Sequence, residues 1–438
     1  MEKKKALLIL SHQGQSYIEL IHKKLAELGV ACLVVTSKPR NEKSLALLKK
    51  HSEHCWVLEG DNIDQESLFS AMDEASSNFS LLSVLASFEG YRLLMSKANE
   101  RIDAYDSSTH ALSICMDKYQ CRNVLIDRCL SATSCTLIDQ SSFIELSESD
   151  KAYFIKPRRG AGSFACFPMS GDITYEDLLE IKNQMKSDRQ FRQIFNGEFD
   201  FIAEDYICGD EYSFETIIVD GSVYVLGVHA KYVEESNGTT LEMSNSLPAP
   251  LLSNEEQRTG EMFITRCVEA LHLENGALHI ETRYDSAKKT WEIIEVNARM
   301  GGALINQSVE VFTNGYSILD LWIESLCSTD KEKRKELKEK LSKLTESYRR
   351  KNNAINNATV FVSRYGLPGK KLTHLSTSNI KVQPDIVHIP VEVGTTLPDS
   401  QRGIFLCNAL WRVNIEDLKC SIETLPKQFD KDFEVLYS

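Results

Sequence analysis

The 438-residue chain contains 42% apolar and 26% charged residues, a composition typical of a globular protein with several domains and a large core. Its formal net charge of −13 and its lack of a basic run argue against nucleic acid or an anionic membrane surface as a partner. No apolar run has the length of a membrane span, no signal peptide is recognisable, and twelve cysteines at irregular spacings fit a reducing compartment, so we expect a cytoplasmic protein.

The first part of the chain alternates between strand and helix patterns. Ala6–Leu10 reads as a buried strand, Tyr17–Leu28 as an amphipathic helix, and Ala31–Val35 as a second strand. The alternation continues to about residue 105 and predicts a doubly wound, Rossmann-like α/β domain over residues 1–105. The first loop, Ser11–Ser16, lacks a GxGxxG motif, so we predict no dinucleotide site there, and the loop is instead a candidate edge of a substrate pocket.

A lysine and a short glycine-bearing loop mark the next region. Met116–Cys129 has a helical pattern with Asp117-Lys118 at its start, and Ala152–Pro157 reads as an apolar strand that contains Lys156. The loop that follows includes Gly162 and Ser163, and such a loop can turn backbone N–H groups toward phosphate while Lys156 supplies a positive charge. The alternative is a basic hairpin turn, and the loop is not a Walker A motif.

Two further hairpins are predicted downstream. Phe201–Ile207 leads through a tight turn at Gly209 into a strand from Glu211 to Val219, and Asp220-Gly221 joins that strand to a return strand. Glu204 and Glu211 are candidates to accept hydrogen bonds from an adenine amino group and from ribose hydroxyls. The backbone near Ile207 would complete the recognition of the purine.

The return strand carries two polar residues on one face, His229 and Lys231. Lys231 is a candidate phosphate ligand. His229 is a candidate acid or base, or a substrate contact, with a buried structural histidine as the alternative.

The segment from His279 to Gly302 carries the strongest signal in the chain. Two strand patterns flank a turn, and if the strands pair, Glu281, Glu295 and Asn297 converge on one point. Two carboxylates and an amide oxygen suit Mg²⁺ that is also bound by phosphate and water, and Arg299 can hold an anion beside them. A solvated polar face is the alternative, but the apolar residues opposite indicate a half-buried strand.

In this order the motifs resemble those of ATP-grasp carboxylate–amine ligases, over roughly residues 1–320. They are Asp117-Lys118, Ile155-Lys156-Pro157 with the Gly160–Ser163 loop, Glu204-Asp205-Tyr206-Ile207 followed by Glu211, Glu281, and Glu295-Val296-Asn297-Ala298-Arg299.

The resemblance implies a role for each matched residue. Nucleotide-binding residues would be Lys118, Lys156, Gly162, Ser163, Glu204, Tyr206, Ile207, Glu211 and Lys231. Glu281, Glu295 and Asn297 would hold two Mg²⁺ ions, or Mn²⁺ in their place, between the phosphates of ATP. Arg299 would bind the transferred phosphate, which makes Arg299, Lys156 and His229 the catalytic candidates.

Within that superfamily the chain is most similar to L-amino acid ligases, which make dipeptides in small-peptide and antibiotic pathways. The resemblance implies a ligase that activates a small carboxylate as an acyl phosphate and joins it to the amine of an amino acid. Another branch of the fold, such as a carboxylating or glycinamide-ribonucleotide enzyme, a kinase, and a non-catalytic ATP-binding module remain the alternatives. Related enzymes are often dimers, so a homodimer is one expectation.

The implied α/β (α+β) ATP-grasp fold divides the chain into four parts. They are a Rossmann-like domain (1–105), a lid (106–195), a catalytic subdomain (196–327) and a C-terminal helix with a small β-rich cap (328–438). Ser328–Lys351 reads as a charged helix, 352–357 as a polar linker and Ala358–Tyr365 as a strand, with Arg364 as a candidate substrate contact. The 158–163 loop and Glu234–Ser246 are candidates for mobile covers that keep water from the site.

Overall fold

A computed structural model describes residues 3–236, 239–349, 356–399 and 401–438. The helices found in those ranges are all too short or too polar to cross a membrane. None of the cysteines in the described ranges forms a disulfide.

The N-terminal part is the predicted doubly wound domain. Four parallel strands lie in the order β3-β2-β1-β4, with helices packed on the sheet. The elements are β1 (Lys4–Ser11), α1 (Ile18–Glu27), β2 (Ala31–Thr36), α2 (Glu42–Lys50), β3 (His54–Val57), α3 (Gln65–Asn78), β4 (Phe79–Ala86) and α4 (Arg92–Arg101). Because β1 is covered on both faces, it is buried from Ala6 onward, as its unbroken apolar run predicts.

The elements of the predicted lid region are α5 (Thr109–Cys115), α6 (Lys118–Asp127), β5 (Cys135–Leu137), α7 (Gln140–Ser147), β6 (Tyr153–Pro157), β7 (Phe167–Pro168), α8 (Tyr175–Ser187) and β8 (Phe201–Asp205). The buried residues of α5 and α6 belong to the main core, whereas the strands with α7 and α8 form a small layer with a core of its own. The strands form one sheet in the order β5-β8-β6-β7. The lid sheet therefore extends past the predicted boundary at residue 195, because β8 pairs with β5 and β6.

The remaining part is built on one eight-stranded antiparallel sheet, in the order β13-β12-β9-β10-β11-β14-β17-β16. Its elements are β9 (Asp210–Val219), β10 (Ser222–Ser236), β11 (Thr239–Leu247), α9 (Asn254–Ala270), β12 (Gly276–Asp285), β13 (Thr290–Asn297), α10 (Ile305–Phe312), α11 (Ile318–Cys327), α12 (Lys331–Arg349), β14 (Asn357–Tyr365), β15 (Leu372–Ser376), β16 (Ile386–His388), β17 (Phe405–Asn414), α13 (Leu418–Asp432) and β18 (Glu434–Tyr437).

The hairpin predictions have different outcomes. β9 and β10 pair around Asp220-Gly221, and β12 pairs with β13, so both of those hairpins are confirmed. The hairpin predicted between Phe201 and Glu215 is wrong, because β8 belongs to the lid sheet and β9 to the large sheet. The tight turn at Gly209 thus connects two layers of the protein rather than two strands of one sheet.

The C-terminal region also differs from the prediction. The expected separate β-rich cap does not form, because β14, β16 and β17 continue the large sheet and only β15 and β18 pair apart from it. Of the predicted helix and linker, residues 350–355 lie outside the described residues. The predicted cover Glu234–Ser246 forms the paired ends of β10 and β11, except that residues 237–238 also lie outside the described residues.

Candidate active site

One deep cavity of about 430 Å³ lies where the N-terminal domain, the lid and the large sheet meet. All of the predicted site residues except His229 and Arg364 line it. They are Lys118, Lys156, Gly162, Ser163, Glu204, Tyr206, Ile207, Glu211, Lys231, Glu281, Glu295, Asn297 and Arg299. The first loop contributes Gln15, which agrees with its predicted place at the edge of a pocket. A cavity of this size suits a small ligand that is largely enclosed.

The candidate metal ligands meet across the β12–β13 hairpin, as predicted. Glu281 lies opposite Glu295 in the strand register, and His279 lies opposite Asn297. Because a cross-strand pair shares one face of the sheet, the two carboxylates and the amide project to the same side. In the described residues no three His, Cys, Asp or Glu side chains are grouped as a complete metal site. An ion held here would therefore take further oxygens from phosphate and water, as Mg²⁺ commonly does.

Lysines pair with both carboxylates. Lys231 lies 2.8 Å from Glu281, and Lys118 lies 2.8 Å from Glu295. Burial raises the pKa of Glu281, but Lys231 and His279 outweigh it and hold the pKa well below its usual range. Glu281 is therefore ionised at neutral pH, which fits the donor set that a hard divalent cation requires.

His279 is a site residue that the sequence analysis did not assign. Its Nδ1 lies 2.8 Å from Glu215, and its Nε2 lies 3.1 Å from Glu281. Burial lowers the pKa of His279, but Glu215 and Glu281 reverse the effect and raise the pKa to about 9. The imidazolium links the buried Glu215 to a metal ligand and so fixes the Glu281 side chain. The sequence feature that could have identified His279 is its position two residues before Glu281, on the same face of the strand.

His229 does not reach the cavity. Its side chain is fully buried, its Nε2 lies 2.9 Å from the Ser308 hydroxyl, and it lies beside Glu215. The structure therefore favours the alternative of a buried structural histidine, since a catalytic group must touch the reacting atoms.

Two lysines project from the lid side of the cavity. Asp117 caps the N-terminus of α6, and Lys118 follows directly, so the helix start sets the direction of the Lys118 side chain. Burial lowers the pKa of Lys118, but Glu295 overcomes it and raises the pKa above its usual value. Lys156 on β6 lies 2.6 Å from Glu204 and donates to the Ile294 carbonyl at 2.9 Å.

Glu204 is held by two cations. Its Oε1 accepts from Arg122 at 2.9 Å, and its Oε2 lies 2.6 Å from Lys156. Burial raises the pKa of Glu204, but the two cations hold the pKa below its usual range. Both carboxylate oxygens are thus engaged, and the predicted contact of Glu204 with adenine would have to share an oxygen with Lys156 or Arg122.

The predicted nucleotide end of the cavity is more open. Tyr206 is 40% exposed, with Arg283 placed 5.2 Å from its ring. Arg283 also donates to the Ile207 carbonyl at 2.7 Å and lies 3.2 Å from Glu211. Burial raises the pKa of Glu211, and Lys231 and Arg283 oppose that rise. These groups offer a ring face, backbone atoms and an acceptor to a base and its sugar.

Gly209 makes this arrangement possible. Its φ is +113°, and a Cβ at this position would lie 2.2 Å from the Tyr284 carbonyl oxygen. Only glycine adopts that backbone without strain and also allows the chain to pass so close to β12. The turn thereby brings Glu211 beside Arg283.

The glycine-bearing loop is tied down in this conformation. Gly162 has a φ of +65°, which lies in the left-handed region that glycine adopts most readily. Beyond the loop, the Ala165 N–H donates to the Gln401 carbonyl at 2.7 Å, and the Thr240 N–H donates to the Cys166 carbonyl at 2.8 Å. The 158–163 loop, one of the two predicted covers, is therefore followed directly by residues that are hydrogen-bonded to β11 and to the chain before β17.

Arg299 is paired with a residue that the sequence analysis missed. Glu89 follows β4, is 7% exposed, and accepts from Arg299 Nε at 3.0 Å and from Nη2 at 2.7 Å. Burial raises the pKa of Glu89, and Arg299 opposes that rise. The signal for Glu89 was its place directly after a parallel strand, since ligands bind at the carboxyl edge of such sheets.

Arg364, the candidate substrate contact, points elsewhere. It pairs with Asp430 and donates to the Met243 carbonyl at 3.1 Å, and it does not line the cavity. Its neighbour Tyr365 lines the cavity instead, because successive residues of a strand face opposite sides.

Comparison with protein families matches residues 150–307 to the model described as an ATP-grasp domain. No curated protein matches the sequence. An L-amino acid ligase from Bacillus licheniformis matches in structure with a TM-score of 0.74 and 18% identity, over 100% of both chains. Phosphoribosylglycinamide synthetase from Anaerococcus prevotii matches with a TM-score of 0.64 and 12% identity, over 99% of this chain and 100% of that one.

A biotin carboxylase from Campylobacter jejuni matches with a TM-score of 0.65 and 13% identity, over 100% of this chain and 92% of the other. The chain therefore has the ATP-grasp fold that the sequence predicted, and residues 150–307 match the family model of that domain. At these identities the structural matches establish the fold alone.

Proposed function

We propose that this chain, with its ATP-grasp domain, is an ATP- and Mg²⁺-dependent ligase that joins a small carboxylate to the amine of an amino acid. The observation that carries the proposal is the convergence of Glu281, Glu295 and Asn297 with Arg299 in one enclosed cavity. A module that only binds ATP has no need for two carboxylates and an arginine placed where a phosphoryl group would be transferred.

ATP would lie with its base near Tyr206 and Ile207 and its ribose near Glu211. Its phosphates would point toward Lys118 and Lys156, whose ammonium groups already face the cavity. Lys231 lies between Glu281 and Glu242, at 2.8 and 2.7 Å, and limits the repulsion between those carboxylates until a ligand arrives.

The chemistry follows from the charges. A carboxylate is a poor electrophile, so transfer of the γ-phosphoryl group to it creates an acyl phosphate with a good leaving group. Arg299 and the two lysines neutralise the negative charge that develops during this transfer. Mg²⁺ held by Glu281, Glu295 and Asn297 would supply Lewis-acid stabilisation of the phosphate oxygens. An amine then attacks the acyl carbon, which releases phosphate and leaves an amide.

Water must be kept from the acyl phosphate, which hydrolyses readily. The loop that contains Gly162 and the aromatic residues Phe191, Tyr365 and Phe405 line the cavity and cover it from the lid and C-terminal sides. Closure of the lid sheet onto the large sheet is the expected route to a sealed site.

The test is release of ADP from Mg²⁺ATP with amino acids supplied in pairs, with mass spectrometry of the products. A product with the summed mass of two amino acids minus water supports the ligase. A phosphorylated product would instead indicate a kinase, and ADP release with bicarbonate or a ribonucleotide substrate would indicate another ATP-grasp branch. ATP binding without ADP release under any pairing would contradict catalysis.

A further inference from the structure

A second cavity, of about 590 Å³, opens at the carboxyl edge of the N-terminal sheet. Its walls come from the loops that follow β1, β2 and β3, from the end of α8 and from the chain before β17. None of the candidate nucleotide or metal ligands lines it, although Gln190 lines both cavities. Ligands of doubly wound sheets bind outside the carboxyl ends of the strands, so this edge is a place where a ligand is expected.

The second cavity carries an excess of positive charge, although the chain as a whole has a net charge of −13. Two of its arginines are paired with two of its carboxylates, Arg189 with Asp61 at 3.6 Å and Arg402 with Asp188 at 3.0 Å. Two further cations in its wall, Lys38 and Arg40, then stand against one further carboxylate, that of Asp399. An anion would therefore be attracted to the side of the cavity that holds Lys38 and Arg40.

Two arginines converge on the turn that ends α8. Arg402 Nε donates to Asp188 Oδ2 at 3.0 Å. Arg40 Nε donates to Gln13 Oε1 at 2.9 Å, and the Gln13 amide in turn donates to the Arg189 carbonyl at 3.4 Å. Burial lowers the pKa of Arg40, the nearby Arg402 lowers it further, and Asp188 opposes both effects. The two guanidinium groups thus repel each other, and an anion beside them would relieve that repulsion.

Arg40 and Gln184 have hydrogen-bonding atoms that no described residue uses. Arg40 makes one hydrogen bond, through Nε, and neither of its terminal nitrogens has an acceptor in the described ranges. Gln184, on α8 in the same wall, has a buried Oε1 without a donor in those ranges. A guanidinium presents parallel N–H groups that match the oxygens of a phosphate, and monohydrogen phosphate also has one O–H to donate.

We infer that this second cavity binds a phosphate group, as inorganic phosphate or as a small hydroxylated phosphomonoester. The phosphate oxygens would accept from Arg40 and Lys38. Gln184 Oε1 would accept from the phosphate O–H or from a hydroxyl of the ester. The inference concerns a site outside the active cavity and does not depend on the proposed ligase activity.

A phosphate bound here would connect the N-terminal domain to the lid. Arg40 and Lys38 follow β2 of the N-terminal sheet, whereas Gln184 lies on α8 of the lid. The same wall reaches the active cavity, because Arg402 lies 4.3 Å from the centre of the Phe191 ring, which lines that cavity. We therefore expect the bound anion to hold the end of α8 in place and to slow its local opening.

Isothermal titration calorimetry of the full chain with inorganic phosphate, at constant ionic strength, tests the site. Arg40→Gln should weaken binding at least roughly tenfold, because the guanidinium–phosphate hydrogen bonds are charge-assisted. Lys38→Gln, at an exposed residue, is a second variant and should weaken binding in the same direction. Arg101→Gln is the matched control, since Arg101 is an exposed arginine of the N-terminal domain that pairs with Asp73, and its loss should leave the affinity within about twofold.

Two further titrations identify the ligand class. Sulfate has no O–H at neutral pH and cannot donate to Gln184, so it should bind more weakly than phosphate. Glycerol phosphate carries both the phosphate and hydroxyl groups, and binding tighter than that of inorganic phosphate would identify an ester as the ligand. Binding no tighter would identify the free ion. Equal affinities for phosphate and sulfate would overturn the assignment to phosphate.

Hydrogen exchange measured by mass spectrometry locates the bound anion. Phosphate should slow exchange in peptides that span residues 36–41 and 184–191. Protection confined to the β12–β13 hairpin would place the anion in the active cavity and overturn the inference. Equal affinities for Arg40→Gln and Arg101→Gln, or no binding at millimolar phosphate, would also overturn it. Neither measurement requires turnover, so failure of the proposed function and failure of this inference are distinguishable.

Discussion

Glu204→Gln is the substitution whose effect on stability the structure defines most sharply. The carboxylate is 2% exposed and lies between Arg122, also 2% exposed, and Lys156, 3% exposed. The amide keeps the shape but removes the charge, so Lys156 loses its carboxylate partner and Arg122 retains only Glu292. Breaking a buried ion pair by removing one partner is expected to reduce the free energy of unfolding by about 3–5 kcal/mol.

The pH dependence of the effect has a defined sign. The folded pKa of Glu204 lies below the usual 4.5, so its contribution is complete above that value and is lost as pH falls through the folded pKa. The difference between the parent protein and Glu204→Gln should therefore be constant above about pH 5 and shrink in stronger acid.

Urea unfolding followed by circular dichroism at pH 7 measures the effect. Because the m-value of a chain this long exceeds the roughly 3 kcal/mol/M of small proteins, a loss of this size corresponds to a fall in midpoint on the order of 1 M urea. The control is Glu53→Gln, whose carboxylate is 42% exposed and pairs with Lys4, so we expect a change of at most about 1 kcal/mol. Equal midpoints for the two variants would refute the reasoning that the Arg122–Glu204–Lys156 cluster holds the lid sheet to the large sheet.

Three further predictions concern the metal site and the inter-layer turn. Glu295→Gln should lower ADP formation at least about a hundredfold in a protein that remains folded by circular dichroism, although loss of the Lys118 pair also lowers its stability, and substantial residual turnover would contradict the metal assignment. Chelation of divalent ions should abolish ADP formation, and added Mg²⁺ or Mn²⁺ should restore it in a steady-state assay. Gly209→Ala should lower the unfolding free energy by about 1–3 kcal/mol, whereas Gly171→Ala, whose Cβ meets no atom within 4 Å, should show no comparable loss in the same urea titration.

Local patterns were sufficient to bring the candidate metal ligands together. Glu281, Glu295 and Asn297 alternate on strands joined by a short turn, and the strand period of two residues places them on one face in any correctly paired hairpin. The same reasoning applied to the first domain, where unbroken apolar runs alternate with amphipathic helices. For the candidate metal ligands the relevant contacts join residues that are close in sequence.

The sequence could not determine which strands share a sheet when the chain leaves one layer for another. Phe201–Asp205 and Asp210–Val219 read as a hairpin because a glycine turn separates two β-rich runs, yet they enter different sheets. β14, β16 and β17 were read as a cap because nothing in their local pattern indicates that β11 has a free edge to which they add. Which strand pairs with the edge of a sheet depends on contacts between residues far apart in sequence, and so on the packing of the whole sheet.

By itself the sequence determined the ATP-grasp fold, the order of its motifs and many, but not all, of the charged residues that face the cavity. Only the tertiary structure decided the partners of those residues. Glu89, more than two hundred positions before Arg299, meets it across the domain interface, and His229 turns into the core beside Ser308 instead of reaching the cavity. Periodicity specifies the face of an element on which a side chain lies, but the element packed against that face is set by the fold as a whole.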